Sequence, residues 1–171
     1  MSTSLCARGT AALLTLLAAL VLGPALPGGA AAAQDPGPGI HPVIVLAGEG
    51  GGTAVVRLHL RRVQVDGAIS SYQGEVSYDT RALTLSRAEL PQGVAGAWNE
   101  PAPGRVRFAG ASPQGVGDVP VLTLHFRTRG PVEGSGFRVK MEEVVSAIGF
   151  RSLSARVVRR DPPIFSRAPA R

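Results

Sequence analysis

An all-β sandwich or barrel is the fold class this sequence predicts, on three observations. Several segments alternate apolar and polar residues with a period of two, as half-buried strands do. Turn signals rich in Gly, Pro and Asp separate those segments at short intervals. Between them lies no stretch with convincing helical periodicity.

Residues 34–42 contain Pro36, Gly37, Pro38 and Gly39 and read as a linker. Val43–Ala47 is a short apolar strand, and Gly48–Gly52 a glycine-rich turn. No Gly-Lys-Ser/Thr follows that turn and no helix opens there, so it is not a phosphate-binding loop. Thr53–Val63 alternates, with Val56, Leu58 and Leu60 on one face and Arg57, His59 and Arg61 on the other. After the Asp66-Gly67 turn comes the clearest strand, Ile69–Tyr78. Its inward face reads Tyr72, Gly74, Val76, Tyr78; its wet face reads Ser71, Gln73, Glu75, Ser77. Asp79 ends it as a turn cap. Ala82–Leu90 forms a short strand or turn packed by Leu83 and Leu85.

Ala97–Asn99 reads as a short edge strand with Trp98 facing in, its extension blocked by Pro101 and Pro103. Arg105–Ala109 places Val106 and Phe108 inward, and residues 112–120 form a Gly/Pro loop. Val121–Thr128 turns Leu122, Leu124 and Phe126 inward and Thr123, His125 and Arg127 outward. Phe137–Met141 and Ser152–Val158 supply the last strands, and Glu142–Ile148 suits a helical turn or a strand equally. Residues 159–171, with Pro162, Pro163 and Pro169, read as a Pro/Arg-rich flexible tail.

The first 33 residues stand apart and read as a secretory signal peptide. Arg8 supplies a positive start, Ala11–Leu22 an apolar run of 12 residues, and Ala31-Ala32-Ala33 a small-residue cleavage site. That run is too short to span a bilayer, and no second one follows, so no membrane span is expected after cleavage. The expected location is therefore secreted, periplasmic or cell-surface. Cys6 is the sole cysteine and would leave with the peptide, so residues 34–171 must fold without a disulfide. A chain of that length can build a full core as one domain.

The formal charge is +6, and every basic residue except Lys140 is an arginine. Arginine suits phosphate contacts, but a nucleic-acid footprint is clustered. These arginines are scattered along the chain, and no nucleic-acid partner is expected. Enzymes need converging acid, base or nucleophile groups. Gly134-Ser135-Gly136 lacks the spacing of a nucleophile elbow, and Glu75 with Asp79 is not a glycosidase pair merely because two carboxylates are close in sequence. His59 and His125 face outward on strands expected to be neighbours, yet two histidines leave a metal site incomplete, and none is assigned. Polysaccharide binding would need a row of exposed rings. Of eight aromatic residues, alternation leaves only Phe137, Phe150 and Phe165 off the inward faces, and they make no row.

From Val43 to Val158 the order of motifs resembles a cohesin domain. The Ile69–Tyr78 strand ends in Tyr78-Asp79 with Leu83 behind it, as the third cohesin strand does. Gly104-Arg105-Val106-Arg107-Phe108 resembles the family's G-K-I strand. Gly117-Asp118 with Leu122-Thr123-Leu124-His125-Phe126 resembles its G-D-G-x-L-x-x-I-x-F motif. Gly130–Val139 is similar to the segment leading into its eighth strand. The resemblance implies a nine-stranded jelly-roll sandwich of the carbohydrate-binding-module-like superfamily. It also implies a non-catalytic module that docks a dockerin-bearing or other protein, in polysaccharide catabolism. In the family the docking surface is the outer face of the sheet of strands three, five, six and eight. Carried onto this chain, that face offers Ser71, Gln73 and Glu75, then Ala97 and Asn99, then Arg107 and Ala109, then Arg138 and Lys140. Ser71 and Gln73 stand where the family tends to place Asn and Asp. Calcium belongs to the dockerin in this reading, and the chain itself is assigned no cofactor. A structural or adhesive module of the cell envelope and a carbohydrate-binding module are the alternative readings.

Overall fold

The computed structural model describes residues 36–169, so the signal peptide assigned to residues 1–33 lies outside the described residues. Nine strands follow one another: β1 (Gly39–Gly50), β2 (Thr53–Val63), β3 (Ile69–Tyr78), β4 (Leu83–Glu89), β5 (Ala95–Ala102), β6 (Arg105–Val116), β7 (Leu122–Thr128), β8 (Phe137–Ser146) and β9 (Ile164–Arg167). They form two sheets, one in the order β4-β7-β2-β1-β9 and the other in the order β5-β6-β3-β8. Neighbours are antiparallel except β1 and β9, which run parallel. The expected all-β, nine-stranded sandwich is therefore present, and strands three, five, six and eight share a sheet.

Alternation builds the core. Residues at even spacing on a strand share a face, so Ile40, Ile44 and Leu46 of β1, Val56 and Leu58 of β2, and Leu122, Leu124 and Phe126 of β7 point inward together. They meet Tyr72 and Val76 of β3, Val106 and Phe108 of β6, and Phe137 and Val144 of β8. Aromatic rings tie the layers: Phe126 lies edge-on to Tyr78 at 4.9 Å and tilted against Phe137 at 6.0 Å. The Tyr72 ring fills space that a Cβ on Gly110 would enter, only 2.5 Å from the ring, so this position of β6 needs glycine. Its buried hydroxyl donates to the Val121 carbonyl oxygen at 3.0 Å, and burial pushes the Tyr72 phenol up to about 12. Replacing Tyr72 by Phe leaves that carbonyl without its donor. A loss of about 1–3 kcal/mol in urea unfolding is expected.

Several boundaries differ from the sequence expectation, each for a pairing reason. The strand read at Val43–Ala47 starts at Gly39, because β1 pairs with β2 over its whole length, from Gly39 opposite Val63 to Gly50 opposite Thr53. Half of the expected linker is thus strand. Pro42 is tolerated there because it lies outside Val43–Leu46, the stretch where β9 pairs with the other side of β1. β5 runs through Pro101, because pairing with β6 is irregular between Asn99 and Ala102 and needs no donor there. β6 continues to Val116 in place of the loop expected at 112–120; Pro113 sits where the β3–β6 register shifts, between Ala111 and Val116. The ambiguous Glu142–Ile148 segment extends β8 to Ser146.

The largest correction concerns the last strand. Ser152–Val158 forms a 3₁₀ turn at Ser154–Arg156 and two isolated bridges, not a strand. The ninth strand instead comes from the segment read as a tail. Ile164–Arg167 lies parallel to Val43–Leu46, Arg167 pairs with Glu49 at 3.0 Å, and Phe165 occupies the space beside Gly134. Proline-rich flanks hid it, although Ile164 and Phe165 are the apolar residues that a fifth strand in the sheet can use. Among the described residues no helix is long and apolar enough to cross a membrane.

Candidate functional site

The outer face of β5-β6-β3-β8 brings all nine expected residues together. In an antiparallel pair, opposed residues share a face. Ala97 opposes Ala109, which opposes Gln73; Asn99 opposes Arg107, which opposes Glu75; Glu75 opposes Lys140; Arg138 opposes Ser77. Ser71 completes the row, opposite Ala111. Buried neighbours such as Tyr72, Val76, Val106 and Phe108 point the other way, which fixes these side chains on the solvent side.

The face divides into two halves. One is flat and uncharged, made by Ala95, Ala97, Ala109, Ala111 and Ser71. The other is an ion-pair network. Arg105 donates both to Glu75 Oε1 at 3.1 Å and to Glu75 Oε2 at 2.7 Å. Arg107 stands 3.9 Å from the same carboxylate and donates to Glu142 Oε1 at 3.3 Å. Gln73 donates its amide to the other Glu142 oxygen at 2.8 Å. At the rim Arg138 donates to Asp161 at 3.0 Å. Arg105 and Glu142 were missed in the sequence. Arg105 shares the period of Arg107 and could have been found from it. Glu142 shares the period of Arg138 and Lys140 but lies past the expected strand end at Met141; the bulge hides Glu143 instead, which opposes Gln73 on the wet side while Gly74 opposes Met141.

Glu75 is the electrostatic centre of this half. The bidentate Arg105 hydrogen bonds hold its carboxyl below the ordinary value, against the opposing effect of burial, and the charges of Arg105, Arg107 and Lys140 add to that. A carboxyl lowered in the folded state contributes stability that is complete above its unfolded value and is lost as pH falls through the folded one. Replacing Glu75 by Gln is therefore expected to cost stability at neutral pH and to cost progressively less toward about pH 3. Urea unfolding of both proteins across that range checks this; a difference independent of pH would contradict it.

Other expected features resolve differently. Trp98 lies on the same side of its sheet as Phe108, but β5 is an edge strand, and the ring is 38% exposed rather than packed inside. Phe137, left off the inward faces by sequence, is fully buried. The exposed aromatics Trp98 and Phe150 sit at opposite edges of the sheet, on β5 and after β8, and make no platform. His125 opposes Val55 in the β2–β7 register, four residues from His59 along β2. That offset separates the two rings by about 13 Å at a strand's rise per residue, so the neighbouring strands do not join them into a metal pair. Among the described residues no group of three or more His, Cys, Asp or Glu could hold a metal ion. Asp79 accepts from the Arg81 backbone N–H at 2.9 Å and from its guanidinium, forming the expected turn cap.

No family model matches this sequence, and no curated protein matches it in sequence. Solved structures do match its fold. A type I cohesin from Clostridium thermocellum, OlpA in complex with a dockerin, superposes with a TM-score of 0.54 at 13% identity, over 70% of this chain and 94% of its own. The sixth cohesin of scaffoldin B from Acetivibrio cellulolyticus, in complex with a Cel5 dockerin, gives 0.52 at 17% identity, over 71% and 95%. The cohesin module of a family 33 glycoside hydrolase from Clostridium perfringens gives 0.52 at 12% identity, over 75% and 98%. The sandwich described above is a cohesin-like fold.

Proposed function

We propose that this chain is a non-catalytic protein-binding module, exported by its N-terminal signal, that docks a dockerin-like partner on the outer face of β5-β6-β3-β8. The observation that carries the reading is the convergence of Ser71, Gln73, Glu75, Ala97, Asn99, Arg107, Ala109, Arg138 and Lys140 on one open face. A flat half of alanines lets a helix approach closely, and a network already ordered by its own ion pairs loses little side-chain freedom on binding. Two of the structural relatives are cohesins solved with dockerins, which favours a partner of that class.

The test is a retention experiment. The protein is immobilised and exposed to the secreted and cellular proteins of its source, with calcium or with chelator. Calcium-dependent retention of a protein bearing paired loop–helix repeats is the expected result. An Arg107→Glu variant is then expected to lose it, because Arg107 joins Glu75 to Glu142 and reversal leaves three carboxylates together. Retention that ignores calcium and survives Arg107→Glu would place the partner elsewhere.

A further inference from the structure

Four strands close the two sheets: β4 and β9 in one, β5 and β8 in the other. A sheet edge presents unpaired backbone N–H and C=O groups, and proteins blunt such edges with charges, bulges, short length or covering segments. Three of these edges are blunted. β4 carries Arg87 and Glu89 and is bulged between Leu85 and Arg87. β9 is four residues long, and Arg167 is tied to Glu49. β8 carries Arg138 and Lys140 and a bulge, and its far end is covered where Leu153 N–H bonds the Val144 carbonyl oxygen. β5 is different. Its far end is blunted by Glu100, Pro101 and the irregularity after Asn99, but over Ala95–Asn99 it reads Ala-Gly-Ala-Trp-Asn, with no charge and no proline, pairs regularly with β6 on one side, and is exposed throughout.

We propose that the Ala95–Asn99 edge pairs antiparallel with the same edge of a second copy of this chain, giving a two-fold dimer in which the two four-stranded sheets become one. Two-fold pairing about an axis normal to the sheet opposes only residues of the same face. Centred on Ala97, it overlaps all five residues. Trp98 then stands opposite the partner subunit's Gly96, and Asn99 opposite the partner subunit's Ala95. A ring lying across an edge glycine is a recognised way to cover both. Trp98 is a large apolar side chain left 38% exposed, so it gains from such cover. Leu90, which stands 2.8 Å from the place of a Gly96 Cβ and is half-buried, would share it. The outer faces of both copies stay open, so the dimer neither needs the docking partner nor blocks it.

Trp98 is the only tryptophan in the chain and reports directly on this contact. In light scattering coupled to gel filtration, the mass is expected to rise toward twice that of the monomer with concentration. Trp98 emission should shift to the blue and lose acrylamide quenching over the same range. Ala97→Lys places two ammonium groups opposite each other at the axis. It should raise the dimer dissociation constant at least tenfold while circular dichroism and melting stay unchanged, since Ala97 points to solvent. Trp98→Ala should weaken association as well. A chain that stays monomeric at every concentration with unshifted emission overturns the proposal, as does a dimer indifferent to Ala97→Lys.

Discussion

Truncating Phe126 to alanine is expected to cost about 3–5 kcal/mol, the range for removing a fully buried ring. Phe126 is 1% exposed and stands on β7, where it opposes Ala54 of β2 and Leu85 of β4. Its ring reaches across the sandwich to Tyr78 and Phe137, both from the opposite sheet. The loss therefore falls on the contact that joins the layers, not on either sheet alone. The hole is left between the two remaining rings, Tyr78 and Phe137. A domain of this kind has about 5–15 kcal/mol in total, so the variant keeps between none and about four fifths of its stability. The urea midpoint should fall with the slope unchanged. Phe126→Leu, which keeps most of the volume, should cost much less. A Phe126→Ala penalty below about 1 kcal/mol would mean that the two sheets are not held by this aromatic cluster.

Replacing Ala109 by arginine is the second large effect, this time on binding. Ala109 lies at the middle of the uncharged half, between Ala97 and Gln73, and its side chain points to solvent. A long charged side chain there raises the one surface that must be flat for a helix to approach. At least a hundredfold loss of partner affinity is expected, about 2.7 kcal/mol. Stability should change by no more than about 0.5 kcal/mol, as for other exposed positions. Arg138→Ala, at the rim and paired with Asp161, should reduce affinity only a few-fold, since rim charges contribute little. Titration calorimetry with the retained partner distinguishes these. Equal losses for the two variants, or none for Ala109→Arg, would move the docking site off this face.

Much of this molecule can be read directly from residue order. The Thr53–Val63 and Ile69–Tyr78 strands have the same ends in sequence and structure, because strict alternation over ten residues admits one pairing face and is bounded by glycine turns and by the Asp79 cap. The expected docking residues also land together, because each sits on the wet phase of a strand whose inward phase is large and apolar. Where the sequence reading stopped short, local composition opposed tertiary pairing. Pro101 signalled a strand end, and Pro42 and Pro113 lay in segments expected to be linker and loop, yet each stands where a backbone N–H has no partner to lose. Glu143 is invisible to any period-two rule, because the bulge resets the phase in the middle of β8, whereas Glu142 keeps the phase of Lys140 but lies past the expected strand end at Met141.

Residue order alone sets the all-β class, the inward and outward faces of the long strands, and the absence of a disulfide from residues 34–171. Alternation and cysteine count are local properties, and no partner is needed to state them. Long-range pairing sets the fate of the edges. It turned the Ile164–Arg167 segment into a strand by giving it β1 to pair with, since four residues have no stability as an isolated strand. It left Trp98 38% exposed, because β5 is the edge of its sheet and has a neighbouring strand on one side alone. It set His59 and His125 apart, because register along β2 and β7, rather than adjacency of strands, fixes the distance between side chains.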